Sequence, residues 1–219
     1  RTESGRPVLL DAYCPHLGAH LGHGGEVHGE SIACPFHGWE YNGDGMCTSV
    51  PYAQNMPPKI IDEPCVGHYP MVERNKVVWA WYHPEGAAPT FEVEEFEEIN
   101  DPNWDEPNLF DWEFDSCIQE TGENGVDIAH FLYVHSSVEM PTATISLEGY
   151  RRVTNMESKV PHIDASGEVD LNPDNYETAN LVTISSGPGL TYQIFNRAFT
   201  SVMLGTVTPV DENTVQMRW

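Results

Sequence analysis

Positive charge is scarce in this sequence. It holds 10 Lys and Arg against 34 Asp and Glu, which gives a formal net charge of -24 at pH 7. A nucleic-acid-binding surface needs Lys and Arg to neutralise phosphates, so this composition excludes nucleic acid as the partner. No Lys or Arg occurs between residues 77 and 150, and residues 92–98 (EVEEFEE) hold five Glu. We interpret this acidity as a solvated face or an adaptation to high salt rather than a dedicated docking surface.

Long apolar segments and paired cysteines are also missing. No apolar run approaches the roughly 20 residues that a membrane span requires, and the first residues carry no secretory signal. We therefore expect no membrane span and a cytoplasmic protein. Five Cys are too few and too scattered for a disulfide framework, so we expect Cys47, Cys65 and Cys117 to be reduced thiols.

Two short loops combine cysteine with histidine. The first holds Cys14 and His16 (CPHLGAH), and the second holds Cys34 and His37 (CPFHGW). Two thiolates and two imidazoles suit either a tetrahedral zinc ion or a [2Fe-2S] cluster with mixed ligation. A zinc finger usually pairs its Cys first and its His afterwards. Here each loop can give one ligand to each of two irons, and this order favours the [2Fe-2S] cluster.

The local patterns divide the chain into three parts. Residues 1–83 are rich in Gly, Pro and short β-like runs and predict a small antiparallel β domain, with a strand at 6–12 and a hairpin turning at Arg74 and Asn75. Residues 84–107 are acidic and Pro-rich and predict a linker. Residues 108–219 contain one helical stretch, 118–135, and several alternating segments that predict strands.

The helical stretch carries a second group of possible metal ligands. Asp127 and His130 are three residues apart and share a helix face. His130 and His135 are five apart, or about 140° around a helix, so both reach one metal only if the helix ends, widens or bends between them. Taken alone, a His in an apolar helix is more often a hydrogen-bonded core residue than a ligand. Asn124 lies one turn earlier, and Phe131, Leu132 and Tyr133 are candidates for a pocket lining or for plain core.

Together the two groups resemble a known family. The doubled Cys-His loops, with Pro after each Cys and Gly-Trp after the last His, resemble the Rieske iron-sulfur motif. The pattern Asp-x-x-His-x-x-x-x-His resembles the mononuclear iron site in the oxygenase (alpha) component of the Rieske non-haem iron oxygenases. The spellings CPHLGAHLGHGG, CPFHGW and ENGVDIAHFLYVH are more similar to 3-ketosteroid 9α-hydroxylases and sterol 7-desaturases than to aromatic-ring dioxygenases.

The resemblance implies an α+β fold and a set of cluster ligands. It implies an antiparallel β Rieske domain in residues 1–83, followed by a helix-plus-antiparallel-sheet catalytic domain in 108–219. In the Rieske [2Fe-2S] cluster, Cys14 and Cys34 would hold the inner iron. His16 and His37 would hold the outer, redox-active iron.

The resemblance also implies roles in the second domain. His130 and His135 would bind a mononuclear Fe(II). Asp127 would be an acidic bridge that orients His130 and hydrogen-bonds a cluster His of a neighbouring subunit, with direct ligation or helix capping as alternatives. Asn124 would place an amide near this iron.

The family's iron site needs a third, carboxylate ligand from a later helix. The later acids lie instead in turn-like or loop-like sequence: Asp164, Asp170, Asp174, Asp211 and Glu212. Residues 214–219 alternate like a half-buried strand and stop without a turn. We therefore expect a longer polypeptide, with the catalytic domain incomplete here and the third ligand beyond Trp219.

The function that the resemblance implies is that of a terminal oxygenase. It would take electrons from an NAD(P)H-dependent ferredoxin reductase or a ferredoxin, relay them through the Rieske cluster and use O2 to hydroxylate a steroid-like or bulky alicyclic substrate. A homotrimer would bring one subunit's cluster against the next subunit's iron. The alternatives are an aromatic-ring hydroxylating dioxygenase alpha subunit and, from another class, a Rieske-type electron carrier.

Overall fold

The chain forms two compact units with mainly antiparallel β structure. A computed structural model describes residues 1–56, 58–164, 166–197 and 199–219. The units are Arg1–Asn100 and Asp101–Trp219. The predicted α+β class, with an antiparallel β domain followed by a helix-plus-antiparallel-sheet domain, is confirmed. Within the described residues, no helix is both long enough and apolar enough to cross a membrane.

The first unit is built from short strands and two single-turn helices. A four-stranded sheet has the order β2-β3-β4-β5, and two strand pairs, β1-β6 and β7-β8, accompany it. The elements are β1 Leu9–Leu10, β2 Glu26–His28, β3 Ser31–Ala33, β4 Glu40–Asn42, β5 Cys47–Ser49, α1 Pro58–Ile61, β6 His68–Tyr69, β7 Met71–Arg74, β8 Val77–Ala80 and α2 Glu97–Asn100. The strand predicted at residues 6–12 is therefore reduced to Leu9–Leu10. Between the two Cys-His loops, β2 and β3 form a hairpin.

The core of the first unit is rich in sulfur and centres on Tyr41, which is fully buried. Cys14, Cys34 and Cys47 belong to the same buried cluster, and Cys65 packs against it. Burial raises the pKa of the Cys47 thiol to about 11 and also raises the pKa of Cys65. None of the five cysteines forms a disulfide bond, and the described residues include all five. Cys47 and Cys65 meet in this core, however, instead of lying scattered.

The hairpin of β7 and β8 turns one residue later than predicted. Asn75 and Lys76 occupy the turn with φ of 56° and 60°, and two successive residues of positive φ match the twist of a two-residue hairpin. The buried Asn75 amide donates to the Glu94 carbonyl at 2.8 Å, and its Oδ1 accepts from the Phe96 N–H at 2.9 Å. Part of the acidic sequence is thereby fastened to this turn, with Phe96 buried.

The second unit is organised around one large sheet. Its strand order is β10-β11-β14-β15-β16-β17-β9, with β9 at the edge beside β17, while β12 and β13 form a separate pair between β11 and β14 in the chain. The elements are β9 Asp111–Asp115, α3 Ile118–Asn124, α4 His130–Tyr133, β10 Thr142–Glu148, β11 Arg151–Val160, β12 His162–Ile163, β13 Val169–Asp170, a 3-10 helix Pro173–Asn175, β14 Glu177–Ser186, β15 Leu190–Asn196, β16 Thr200–Pro209 and β17 Thr214–Arg218. The alternating segments thus form the strands that the sequence predicts.

One face of this sheet lies beneath the helices. Along β11, Thr154, Met156 and Ser158 are buried while the residues between them are exposed. Side chains two apart on a strand share a face, so Arg152 projects on the same side. Arg152 reaches the carbonyl of Gly122 in α3, which identifies the helix-covered face.

The single helix predicted at 118–135 is wrong, because the chain forms two short helices. α3 ends at Asn124 with Gly125 as its C-terminal cap, and α4 begins only at His130. Glycine weakens helix propensity here. Asp127 accepts a hydrogen bond at Oδ1 from the Ala129 N–H at 3.0 Å, a local contact that competes with helix.

Candidate metal centres

The two Cys-His loops share one backbone hydrogen-bond pattern. In the first loop the Cys14 N–H donates to the carbonyl five residues later at 2.8 Å, and the Cys14 carbonyl accepts from the Gly18 N–H at 2.9 Å. The second loop repeats both bonds from Cys34, at 2.8 Å and, with Gly38 as the donor, at 2.9 Å. Gly18 and Gly38 both have positive φ, 73° and 69°. The loops are therefore close copies that differ in where the His falls.

The predicted cluster ligands come together at these loops. Cys14 and Cys34 are buried, whereas His16 and His37 are half-buried with ring centroids 4.9 Å apart. Thiols inside and imidazoles outside are the arrangement that an inner and an outer iron need. Both loops supply one residue of each kind, so the donor chemistry fits a [2Fe-2S] cluster with mixed ligation.

Aromatic residues that the sequence analysis did not single out support this site. The Tyr41 hydroxyl lies 3.1 Å from Cys14 Sγ, and burial raises the pKa of Tyr41, which keeps the phenol protonated. Trp39 stacks on His16 with centroids 4.4 Å apart and ring planes 7° apart. Trp39 Nε1 in turn donates to the Tyr52 hydroxyl at 2.7 Å. No local sequence signal identifies Tyr41, because its role depends on the packing of β4 against the first loop.

The rim of the cluster loops is apolar and uncharged. Leu17, Phe36 and Tyr52 are each more than half exposed. Residues 12–25 and 31–39 contain no Asp, Glu, Lys or Arg, although the chain as a whole has a net charge of -24. The rim is thus an apolar patch in a strongly acidic protein.

The second predicted group, His130 and His135, also converges. The ring centroids are 5.1 Å apart, with planes at 70°. α4 ends at Tyr133, before His135, and this is one of the three conditions under which both imidazoles were expected to reach one metal. Ser136 then adopts φ 61°, and the Ser137 N–H donates to the Phe131 carbonyl at 3.1 Å. This left-handed residue and the bond across it close the helix end.

The surroundings of the two imidazoles favour metal binding. His130 is largely buried, and within the described residues its Nδ1 has no hydrogen-bond partner. Asp127 Oδ2 lies 3.6 Å from that nitrogen, within ion-pair range but too far for a hydrogen bond. Burial, followed by repulsion from His130, lowers the pKa of His135. A neutral imidazole is the form that binds a metal ion.

Other residues named from the sequence lie at exposed or half-buried positions. Asn124 is exposed at the end of α3. Phe131 and Leu132 are half-buried, but Tyr133 is 82% exposed and does not form part of the core. Asp127 lies in the turn before α4 and not on a helix, which corrects the prediction that it shares a helix face with His130.

The later acids lie mostly where the sequence predicts. Asp211 stands in the turn between β16 and β17 and accepts at Oδ1 from the Asn213 N–H at 2.9 Å. Asp164 also lies in a turn, where its Oδ1 accepts from the Ser166 N–H. Asp170 is on β13 and Asp174 in the 3-10 helix, so the expectation of loop positions is wrong for these two.

Within the described part of the chain, no three His, Cys, Asp or Glu side chains converge as a single metal ion would require. The candidate ligands come in pairs instead. A [2Fe-2S] cluster takes two protein ligands on each iron, so pairs are what the loops need to supply. A mononuclear ion would need further ligands beside the pair His130 and His135.

Comparison with known proteins agrees with this reading. Residues 1–70 match the Rieske [2Fe-2S] domain, so the first unit is of the Rieske iron-sulfur class. Residues 80–219 match the 3-ketosteroid 9alpha-hydroxylase C-terminal domain, and the chain belongs to this family of Rieske oxygenases. The resemblance seen in the sequence is confirmed.

Individual relatives are similar over long stretches. The chain is 30% identical to cholesterol 7-desaturase nvd 1 of Ciona intestinalis, covering 96% of this chain and 47% of the relative. It is 33% identical to the cholesterol 7-desaturase of Caenorhabditis elegans, covering 95% and 54%. A probable 3-ketosteroid-9-alpha-monooxygenase oxygenase component of Rhodococcus rhodochrous is 37% identical over 75% of this chain and 40% of its own length. The chain thus spans about half the length, or less, of these relatives.

Solved structures share the fold. Dicamba monooxygenase bound to 3,6 dichlorosalicylic acid superposes with a TM-score of 0.74 at 21% identity, covering 100% of this chain and 67% of that structure. Caffeine-bound NdmA of Pseudomonas putida gives 0.68 at 20% identity, covering 95% and 61%. At this identity the likeness establishes the arrangement of strands and helices.

Proposed function

We propose that this chain is part of a Rieske-type terminal oxygenase that uses O2 to hydroxylate a steroid-like or other bulky alicyclic substrate. The observation that carries the proposal is the presence, in one chain, of the paired Cys-His loops and the converging His130–His135 pair. Relatives named as cholesterol 7-desaturases and 3-ketosteroid-9-alpha-monooxygenases support a sterol nucleus as the substrate class.

In the first unit, four residues of the two Cys-His loops would be the cluster ligands. Cys14 and Cys34 would hold the inner iron, and His16 and His37 the outer iron, which supplies single electrons when the cluster is bound. With Cys14 bound as a thiolate, the Tyr41 hydroxyl, 3.1 Å away, would donate to the sulfur and so stabilise negative charge there. The half-buried imidazoles leave the outer iron close to the surface, where a donor protein can approach.

In the second unit His130 and His135 would hold a mononuclear iron, which supplies O2 activation when bound. Asp127 would orient His130 through Nδ1, leaving Nε2 for the metal, and would link this site to a cluster His of a neighbouring subunit. A carboxylate would complete the ligand set. Asn124 would place its amide on the same side, the least supported of these roles because it is exposed.

The chain would consist of two domains and a connection, and it would work with an electron donor and with further copies of itself. Residues 1–83 would be the Rieske domain, 84–107 a connection and 108–219 the mononuclear iron domain. Electrons would come from an NAD(P)H-dependent ferredoxin reductase or a ferredoxin. A homotrimer would join each cluster to the next subunit's iron. Cys47, Cys65 and Cys117, which form no disulfide, support a cytoplasmic location.

Metal analysis and spectroscopy test the cofactors first. We expect iron and acid-labile sulfide, and a Rieske-type EPR signal after dithionite reduction. Zinc in place of iron, or the absence of that signal, would contradict the proposal.

A substitution at the second site then separates the oxygenase from a simple electron carrier. In the full-length oxygenase, His130→Ala should keep the cluster signal but abolish product formation from a panel of sterols, 3-ketosteroids and aromatic acids. His68→Ala, which changes an exposed His of the first unit, is the control. Hydroxylation that survives His130→Ala would mean that the second iron site is misplaced, and products from aromatic acids alone would favour the aromatic-ring dioxygenase.

A further inference from the structure

An arginine from the sheet reaches the end of the helix that precedes the His130–His135 pair. Arg152 lies near the start of β11. Both of its terminal nitrogens, Nη1 and Nη2, donate to the Gly122 carbonyl at 3.3 Å. Nη2 also donates to Ser185 Oγ on β14 at 3.0 Å. The Gly122 carbonyl also accepts from the Gly125 N–H at 3.3 Å. A cation at the last carbonyls of a helix is favourably placed, because these groups carry the negative end of the dipole.

The surroundings of Arg152 are unusual in a chain with so many acids. Its Nε is buried and has no hydrogen-bond partner within the described residues. Its hydrogen bonds go to a helix carbonyl and a hydroxyl, not to a carboxylate. A half-buried guanidinium that contacts two separate elements acts through its planar, forked shape as well as through its charge.

A glycine keeps the space that this guanidinium occupies. A Cβ built on Gly125 would lie 2.5 Å from Arg152 Nη2, so the guanidinium would have to move from its position. Gly125 has φ -72° and ψ -6°, which any residue can adopt. The backbone conformation at position 125 does not require glycine, but the missing side chain leaves room for Arg152. At Gly122, by contrast, a Cβ would meet nothing within 4 Å.

The segment with the two imidazoles is fastened to the same strand at its other end. The Val138 N–H donates to the Lys159 carbonyl at 2.8 Å. The buried Ser137 hydroxyl also points to that carbonyl at 3.3 Å and to the Glu139 carbonyl at 2.7 Å. The two attachments on β11 are thus seven residues apart, about 23 Å at 3.3 Å per residue.

We propose that Arg152 is a positioning residue for the His130–His135 pair. By holding the C-terminal end of α3 against β11 and β14, it fixes the start of the turn that leads to His130, while the attachment at Lys159 fixes the end. This role adds a supporting residue to the proposed iron site. It depends on the proposed function in one respect, that the two imidazoles bind iron. The fastening itself is a property of the metal-free chain.

The first experiment replaces Arg152 and follows the segment with and without metal. Arg152→Gln removes the forked cation, Arg152→Lys keeps one charged donor, and Arg151→Gln removes the neighbouring cation that pairs with Glu148 on the opposite face. Amide hydrogen exchange in the metal-free protein should accelerate about tenfold at residues 126–138 in Arg152→Gln, less in Arg152→Lys and not in Arg151→Gln. The Kd for Co²⁺, the metal probe, should rise about tenfold in Arg152→Gln, the scale of losses seen when a residue supporting a metal ligand is removed.

The second experiment disturbs the same contact by a substitution at Gly125. Gly125→Ala should displace the guanidinium and reproduce the faster exchange of Arg152→Gln, whereas Gly122→Ala should leave it unchanged or slower. Because both act on one contact, the double variant Gly125→Ala with Arg152→Gln should be no worse than either single variant. Additive effects would mean that the two residues act independently and would overturn the proposal.

The remaining outcomes separate this inference from the proposed function. Exchange and Co²⁺ binding that are unchanged in Arg152→Gln overturn the positioning role. Faster exchange spread evenly over β10 to β17 overturns it too, because it indicates a general loss of stability. If His130→Ala binds Co²⁺ as the unsubstituted chain does, the proposed metal site fails, and the exchange of residues 126–138 still decides the role of Arg152.

Discussion

Single side chains decide how the cluster site behaves, and Tyr41 is the clearest case. Its fully buried hydroxyl lies 3.1 Å from Cys14 Sγ. A hydrogen bond to a cluster sulfur stabilises the reduced, more negative state. Tyr41→Phe should therefore lower the reduction potential without loss of the cluster, by about 40 mV if the bond contributes about 1 kcal/mol to a one-electron couple. A potentiometric titration of the EPR signal measures this shift.

Tyr13→Phe is the matched control, because Tyr13 adjoins Cys14 in sequence but is 64% exposed. Its potential should equal that of the unsubstituted chain. An unchanged potential in Tyr41→Phe would mean that the hydroxyl does not donate to the sulfur.

One carboxyl of the second unit, Glu177, makes stability depend on pH. The hydrogen bond from His162 lowers the pKa of Glu177, and the charge of Arg197 adds to the effect. A carboxyl whose pKa is lower in the folded state stabilises the fold above its unfolded pKa, about 4.5. This contribution is lost as the pH falls through the folded pKa.

We therefore expect Glu177→Gln to lose less stability than the unsubstituted chain when the pH falls from 7 to below 4.5. Urea unfolding midpoints at several pH values give the comparison, and Glu157→Gln, at an exposed carboxyl on β11, is the control. Equal acid sensitivity in both variants would count against the role of Glu177.

At the residue scale the sequence predicts ligands better than their supports. Cys14, His16, Cys34 and His37 are recognisable because ligand spacing is local, and the structure brings them to one place. Tyr41 and Arg152 have no such signal, since each acts on a segment distant in sequence. Ser136 has no signal either, because its left-handed φ is imposed by the end of a helix and not by its own preference.

At the scale of elements, the two Cys-His loops offer a comparison within one molecule. Gly18 and Gly38 occupy equivalent positions with positive φ, but a Cβ at Gly38 would lie 3.1 Å from Pro51 Cγ while one at Gly18 meets nothing. An Ala in this conformation costs about 1 kcal/mol. Gly18→Ala should therefore lower the temperature at which the cluster's visible absorbance is lost, and Gly38→Ala should lower it further. Equal losses would show that the Pro51 contact relaxes freely.

Strands are predicted well from this sequence and helices poorly. Period-two alternation marks β11 and β14 because one face is buried and the other is not. Residues 118–135 look like one helix because apolar residues recur through them, but Gly125 and the side-chain bond of Asp127 stop helix between Asn124 and His130. The contact of Asn75 with the acidic sequence is also invisible beforehand, since it joins segments about 20 residues apart.

At the scale of the whole molecule, the dominant feature is the net charge of -24. Like charges destabilise a compact state by mutual repulsion. The Debye length falls from about 30 Å at 10 mM salt to about 8 Å at 150 mM. The thermal unfolding midpoint should therefore rise between 10 and 150 mM NaCl, as calorimetry can measure. A midpoint that falls with salt would mean that attractive ion pairs outweigh the repulsion.

The rim around His16 and His37 is uncharged and differs in this from the rest of the acidic chain. Leu17 and Phe36 are exposed there, and the loops carry no charged residue. Repulsion between like charges is therefore weaker at this rim than over the acidic remainder of the surface.

The attachment of the two-His segment to β11 at both ends limits how its length can evolve. Inserting or deleting one residue between Arg152 and Lys159 would turn the Arg152 side chain to the other face of the sheet or the Lys159 carbonyl toward the other neighbouring strand, because both directions alternate along a strand. Only changes of two residues, about 6.6 Å, keep both attachments on their proper sides. Homologous chains should therefore differ in this stretch by even numbers of residues, each matched by a change in the helical segment above it.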